Sequence, residues 1–306
     1  MRRIAFNDRS NPDDDELGIQ IVKDLHRTGC STFSGQDNDQ DRALLKRVLL
    51  AFARYNKTVG YCQGFNIIAA LILEIVDKRE EDAFMCMIYL IDHVLPEGYF
   101  TNSMHTLAID MAVFRELLKA KLPKLFQHLN NLQFNSTATT FSSAKKTVFG
   151  KTSHASLAAP PVTTYEPPLT NVFTMQWFLT LFATCLPKTV LLRVWDSIFL
   201  EGSEILFRTS LAIWDRLSVS VMKASTADAF YSMMSVLSIK LFDQNAADEN
   251  NLVEKIYSYG TFPLASLEEL REKFTFNINP FQTTMDNNNS ILNGKLVKKR
   301  SKTFFK

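Results

Sequence analysis

Apolar residues recur along most of this chain at intervals of three and four, the spacing of one face of an α-helix. Within residues 41–52, Leu44, Leu45, Val48, Leu49 and Phe52 share a stripe, and charged residues fill the opposite face. Residues 65–76 are apolar nearly all round, the pattern of a helix buried at the centre of a domain. The helical period continues through 83–94 and 104–121, and Pro123 interrupts it. It resumes in 176–186, which ends at Pro187, and then in 190–200, 205–221 and 226–242. Ser266 and Glu269 have the Ser-x-x-Glu spacing of a capping box and open a last helix. Alternating strand patterns are nearly absent, so the expected fold is all-α with many short to medium helices.

Two segments lack the period. Residues 134–170 are rich in Ser, Thr, Ala and Pro, and the expectation is a flexible insertion inside the domain. Phe149-Gly150-Lys151-Thr152 mimics the end of a Walker A loop. That motif needs Gly at the position of Lys145, and no strand pattern precedes it, so nucleotide binding is not expected there. Residues 283–306 pass through three consecutive asparagines and end in a basic cluster, Lys298-Lys299-Arg300-Ser301-Lys302. A flexible basic tail is the expectation, with weak attraction to anionic lipid or nuclear import as other readings of the charge.

Composition narrows the function classes. Among 306 residues, 46% are hydrophobic and 22% charged, ordinary for a globular chain that buries its own core. The formal net charge is only +2, which gives no general electrostatic case for nucleic-acid binding. Phe is frequent, with 24 residues, as an aromatic-rich core would require. Cys30, Cys62, Cys86 and Cys185 lie far apart without a C-x-x-C pair, so neither a zinc site nor a disulfide framework is expected. The first fifteen residues are charged and carry no apolar signal-peptide region. Residues 167–187 hold no charge but include Gln176, Thr180 and Thr184, which fits a buried helix better than a membrane span. A cytoplasmic protein is expected.

Three polar clusters sit among the helices. In the first, Asp24 and Arg27 are three apart in Ile21-Val22-Lys23-Asp24-Leu25-His26-Arg27-Thr28-Gly29 and can share a helix face, with Gly29 as a stop. An Arg in the last helical turn ordinarily complements the helix dipole. In the second, Gly60-Tyr61-Cys62-Gln63-Gly64-Phe65-Asn66, two glycines bracket a tight turn before a very apolar helix. Gln63 is then a neutral donor and acceptor held on a rigid turn, and capping of backbone groups is its plain reading. In the third, Arg193 and Asp196 are three apart beside Trp195, between Leu186-Pro187 and Phe199-Leu200-Glu201-Gly202. A structural ion pair holding helices in register accounts for that spacing.

Taken together, and in this order, the three clusters resemble the TBC-domain family of Rab GTPase-activating proteins. The family's I-x-x-D-x-x-R motif is met by Ile21, Asp24 and Arg27, and its Y-x-Q-G-x-N motif by Tyr61, Gln63, Gly64 and Asn66. The third motif, L-P followed by L-R-x-W-D-x-x-F-x-E-G, is met from Leu186 through Gly202. Arg27-Thr28-Gly29-Cys30 and residues 168–177 further resemble one branch of that family. The resemblance implies a helical TBC domain over residues 16–276 interrupted by the 134–170 insertion, with tails at 1–15 and 277–306. One departure stands out: many members continue Arg-Thr with Phe-Pro, where this chain has Gly29-Cys30.

The resemblance also implies a mechanism. Arg27 would reach in trans into the nucleotide site of a GTP-bound Rab and spread the charge of the transition state. Asp24 would orient Arg27, and Gln63 would position the attacking water. Tyr61 and Asn66 would shape the turn, while Arg193 and Asp196 would brace the site. No cofactor or metal of the chain's own is implied, since GTP and Mg²⁺ belong to the partner. Vesicle or ciliary membrane traffic is the implied setting, with membrane association through the Rab or the basic tail. A catalytically silent TBC domain that binds a Rab as a scaffold is the alternative. The presence of Arg27 and Gln63 argues against it, and Gly29-Cys30 argues for it. An unrelated helical repeat scaffold would need a regular internal period, and none is found.

Overall fold

In the computed structural model the described residues are 12–25, 28, 39–101, 104–146, 168–237, 246–261, 264 and 267–275. They form helices α1 (Pro12–Leu25), α2 (Asp39–Tyr55), α3 (Phe65–Ile75) and α4 (Glu80–Tyr89). The last of these runs on into a π-helical turn, Leu90–Val94. Then follow α5 (His105–Lys121), α6 (Pro123–Lys146), α7 (Leu169–Leu179), α8 (Lys188–Glu201) and α9 (Glu204–Val221). The last three are α10 (Ala227–Leu237), α11 (Ala246–Tyr257) and α12 (Leu267–Thr275). There is no strand among the described residues, as the sequence pattern predicts.

The buried positions follow the predicted stripes. On α2, Leu45, Val48, Leu49 and Phe52 are buried, and on α3 the run Ile68 to Leu73 is buried almost without break. That leaves α3 enclosed by its neighbours: α1, α2 and α4 all pack on it. The second group centres on α9, which touches α5, α7, α8, α10 and α11. Phe207, Leu211 and Trp214 of α9 are fully buried, and Trp214 donates its indole N–H to Thr174 Oγ1 on α7 at 2.9 Å. The π turn packs on α8 and so connects the two groups. Tyr89 and Phe199 stack across the same junction, with ring centroids 6.2 Å apart.

Several boundaries differ from the sequence reading. Helix α1 begins at Pro12, inside the segment 1–15 expected to be a tail. Pro123 starts α6 instead of merely interrupting a helix, because the first helical residue needs no N–H partner. Helix α6 then runs through Lys146, and α7 opens at Leu169, so both ends of the expected 134–170 insertion are helical. Residues 147–167 lie outside the described residues, as do Ser266 and the tail 277–306. The helix expected over 176–186 ends at Leu179, and residues 180–186 form turns. Helix α11 had no counterpart in the sequence pattern. Among its described side chains the buried anchors are Leu252 and Ile256, set in a polar stretch too sparse to show a period.

Two buried ion pairs fasten the end of the domain to its middle. Asp110 on α5 is fully buried, and Arg271 on α12 forks onto it with Nε–Oδ1 2.8 Å and Nη2–Oδ2 3.0 Å. Arg271 Nη2 also donates to Ser203 Oγ at 3.1 Å. On α9, Arg208 is fully buried and bonds Glu204 Oε1 at 2.6 Å and the carbonyls of Gly260 and Thr261 at 3.1 and 2.7 Å. Burial pushes the Asp110 carboxyl above the usual carboxylate range, and Arg271 pulls it back only in part.

This geometry fixes an outcome for Arg271→Ala. Removing one partner of a buried pair leaves an uncompensated charge, at a cost of about 3–5 kcal/mol. Urea unfolding should show that loss at neutral pH. The deficit should narrow as the pH falls, because protonating Asp110 removes the unpaired charge. A deficit that does not change with pH would contradict the assignment.

Candidate functional site

Helix α1 ends at Leu25 with its last carbonyls inside the protein, where they need donors. Asp24 and Thr28 are both buried. The carbonyl of Asp24 accepts from Thr28 N at 3.0 Å and from Thr28 Oγ1 at 2.9 Å. It also accepts a longer bond, 3.4 Å, from Asn66 Nδ2, whose stronger bond goes to Thr28 Oγ1 at 2.8 Å. The Asp24 carboxylate accepts from the Tyr61 hydroxyl at 2.9 Å. Residues of the first and second sequence clusters therefore form one buried hydrogen-bonded network. It encloses the chain on both sides of position 27, although Arg27, Gly29 and Cys30 themselves lie outside the described residues.

The second cluster forms the turn expected of it. Tyr61, Cys62, Phe65 and Asn66 are buried, and Gln63 alone between them is exposed. The Tyr61 ring meets Phe65 edge-on at 6.1 Å. Burial, and then the Asp24 carboxylate, raise the Tyr61 phenol well above the ordinary range. Burial pushes the Cys62 thiol up to about 11, so it stays protonated and inert at neutral pH. The turn depends on Gly64, whose φ of 105° places it in left-handed territory. A Cβ at this position would come within 3.1 Å of the Leu179 carbonyl oxygen and 3.5 Å of Thr180 Cγ2. Gln63 is thus presented on a turn lying directly against the end of α7.

That end of α7 is itself unusual. Leu181 and Phe182 both have positive φ, 47° and 66°, and both are fully buried. Left-handed backbone at a non-glycine residue costs roughly 1–2 kcal/mol, and such strain persists only where the surroundings impose it. The Phe182 N–H closes back onto the Trp177 carbonyl at 2.8 Å. Thr180 Oγ1 donates to the Gln176 carbonyl at 2.9 Å. The Leu181 carbonyl accepts from the indole N–H of Trp195 on α8, also at 2.9 Å. The third cluster reaches the second through this turn.

Arg193 and Asp196 do otherwise than expected. Both are exposed, and the ion pair between them is not among those of the described residues. Arg193 Nη1 instead donates to Asn250 Oδ1 of α11 at 2.6 Å. The three-residue spacing makes a pair sterically available, but a partner on the neighbouring helix captures the guanidinium. Thr28 and the Leu181–Phe182 turn are the participants the sequence reading missed. Thr28 sat in plain view beside Arg27, whereas two left-handed non-glycine residues leave no sequence signal.

The Rab-GTPase-TBC domain pattern matches residues 4–149 and 168–222. The gap between the two matched stretches falls within the expected insertion. TBC1 domain family member 30 of Homo sapiens is 56% identical over 283 residues, which is 92% of this chain and 28% of that protein. The chain therefore spans little more than a quarter of that relative's length. Among solved structures, the Ypt/Rab-GAP domain of Gyp1p superposes with a TM-score of 0.59 at 16% identity, covering 83% of this chain and 75% of that one. The Chlamydomonas flagellar RabGAP TBC domain gives 0.53 at 23% identity, covering 79% and 72%. Both show the same helical fold.

Tyr61→Phe tests the network. It removes a hydrogen bond to a charged acceptor, with an expected loss of about 1.5–3 kcal/mol in urea unfolding. The pH dependence has a defined sign. Above pH about 10 the unfolded chain releases the Tyr61 proton and the folded chain keeps it, so stability falls as pH rises. Tyr61→Phe should flatten part of that alkaline slope, and an unchanged slope would place Tyr61 in a wetter setting.

Proposed function

Because this chain belongs to the Rab-GTPase-TBC domain family, we propose that it accelerates GTP hydrolysis by a Rab-family small GTPase, with Arg27 and Gln63 supplied in trans. One observation carries this reading most directly. The side chains of Asp24, Tyr61, Asn66 and Thr28 join the two motifs in a single buried network, with Gln63 exposed on the adjoining turn. The hydrogen bonds fix the backbone from which both proposed fingers would extend, and preorganisation of that kind is what transition-state stabilisation requires.

In this mechanism a water attacks the γ-phosphorus, and the β–γ bridging oxygen leaves with GDP. Arg27 donates to the oxygens on which charge accumulates, and its planar fork reaches two of them. Gln63 accepts from and donates to the attacking water, taking over from the glutamine of the GTPase. Asp24 would orient Arg27 through its carboxylate, which the Tyr61 hydroxyl anchors. The GTP and Mg²⁺ arrive with the Rab, and the chain contributes no cofactor. The cytoplasmic face of vesicle or ciliary membranes is the proposed place of action, reached through the Rab or through the basic tail. No helix among the described residues is long and apolar enough to cross a membrane.

The test is a screen of GTP-loaded Rabs for phosphate release in the presence of the chain. With a responding Rab, Arg27→Lys should lower stimulated hydrolysis by about 10³-fold or more. Gln63→Ala should lower it about 10²–10³-fold, the usual worth of one positioned group, with binding retained. A Rab carrying Leu in place of its own catalytic glutamine should still respond to the wild-type chain. Binding of Rabs without any acceleration would instead identify a silent scaffold.

A further inference from the structure

We propose that Trp195 is a positioning residue for Gln63, acting through the strained turn at the end of α7. The inference rests on the proposed function and deepens it, since the three-way geometry concerns how the Gln63 turn is held. Trp195 lies on α8, in the third cluster, and is buried to 3% exposure. Its indole N–H makes its 2.9 Å bond to the carbonyl of Leu181, the first of two consecutive left-handed residues. Two residues earlier, the Leu179 carbonyl faces Gly64, so closely that a Cβ there would meet it at 3.1 Å. Gln63 precedes Gly64 directly. A single path of contacts therefore leads from the indole N–H to the strained turn, from the turn to Gly64, and from Gly64 to the exposed glutamine.

Each link has a reason to transmit displacement. Left-handed Leu181 and Phe182 relax toward ordinary backbone angles unless something holds them. Phe182 N–H and the Leu181 carbonyl are both engaged, one by Trp177 within α7 and one by Trp195 from a different helix. Only the second bond fixes the turn relative to the rest of the domain. Gly64 has no side chain to take up slack, and its own φ of 105° is available to few other residues. If the Leu181 carbonyl is released, the Leu179 carbonyl shifts, and the seat of the Gln63 turn shifts with it. The chain on either side of position 27 is closed on itself by the two bonds from Thr28 to the Asp24 carbonyl, which do not involve the turn at the end of α7, and the contribution of Arg27 should be spared. Trp195 thus serves one finger and not the other.

A double-mutant cycle separates this from a general loss of structure. The variants are Trp195→Phe, which keeps an aromatic ring but removes the N–H, and replacement of Trp195 by benzothienylalanine, which keeps the bicyclic shape without the donor. Single-turnover phosphate release is measured with a responding GTP-loaded Rab. Both variants should lower kcat about 10-fold or more, with KM within about twofold, because small displacements of a positioned group act on the chemical step. In a Gln63→Ala background the same changes at position 195 should have no further effect. In an Arg27→Ala background they should retain their full effect. Equal losses in both backgrounds, or full activity of the benzothienylalanine protein, would overturn the proposal. If the wild-type chain accelerates no Rab, the proposed function fails first, and the cycle cannot then be mistaken for its failure. Should Trp195→Phe unfold, the benzothienylalanine protein decides the matter alone.

Discussion

The carbonyl of Asp24 sets the terms for the whole site. A helix that ends inside a protein must find donors for its last carbonyls, and each one left without a partner costs about as much as a buried hydrogen bond is worth. Helix α1 meets that demand with Thr28 from its own chain direction and Asn66 from the start of α3. Once Asn66 is committed to that task, the turn 61–64 just before it is fixed against the end of α1. Tyr61 then lies within reach of the Asp24 carboxylate, and the only side chain of the turn left in solvent is Gln63. The exposure of one residue follows from the burial of its neighbours.

The same logic explains why the glycine at 64 and the tryptophan at 195 belong to one assembly although 131 positions separate them. The second helical group meets the first at a place where backbone touches backbone, and no side chain fits between. Close approach of this kind is unforgiving, which is useful where a side chain must be held to fractions of an ångström. The strain at Leu181 and Phe182 is stored where it borders the turn, in keeping with the general tendency of strained backbone to lie near functional groups.

Much of this was legible in the sequence. The periodic stripes of α2, α3, α5 and α9 identified the helical class and the buried faces, because a stripe of apolar residues is a local property that survives packing. The first two motifs named Asp24, Tyr61 and Asn66 of the network, and Tyr61 and Asn66 bond the first cluster as a shared site requires. What was not legible depended on partners distant in the chain. The period through Trp177 and Phe178 continues into Leu181 and Phe182, so nothing local marks the end of α7 at Leu179. The Arg193–Asp196 spacing suits an ion pair, yet Asn250 arrives from a helix whose own pattern was too polar to notice. Helix α6 extends through Ser- and Thr-rich residues that have little helical preference of their own, so the composition of 134–146 pointed away from the helix that is found.

The bond between Asp110 and Arg271 also carries information about time. Its two ends are separated by 161 residues. A ribosome adding about 5–20 residues per second takes of the order of ten seconds or more to travel that distance. Throughout that interval α5 exists without its counter-charge, and burying it would enclose a lone carboxylate. The contacts among α1 to α4 are all available before α5 is made, whereas the charge pairing of α5 is complete only once α12 has been made. In the nascent chain one set of partners is thus complete well before the other, and the delay is set by the length of chain that joins Asp110 to Arg271.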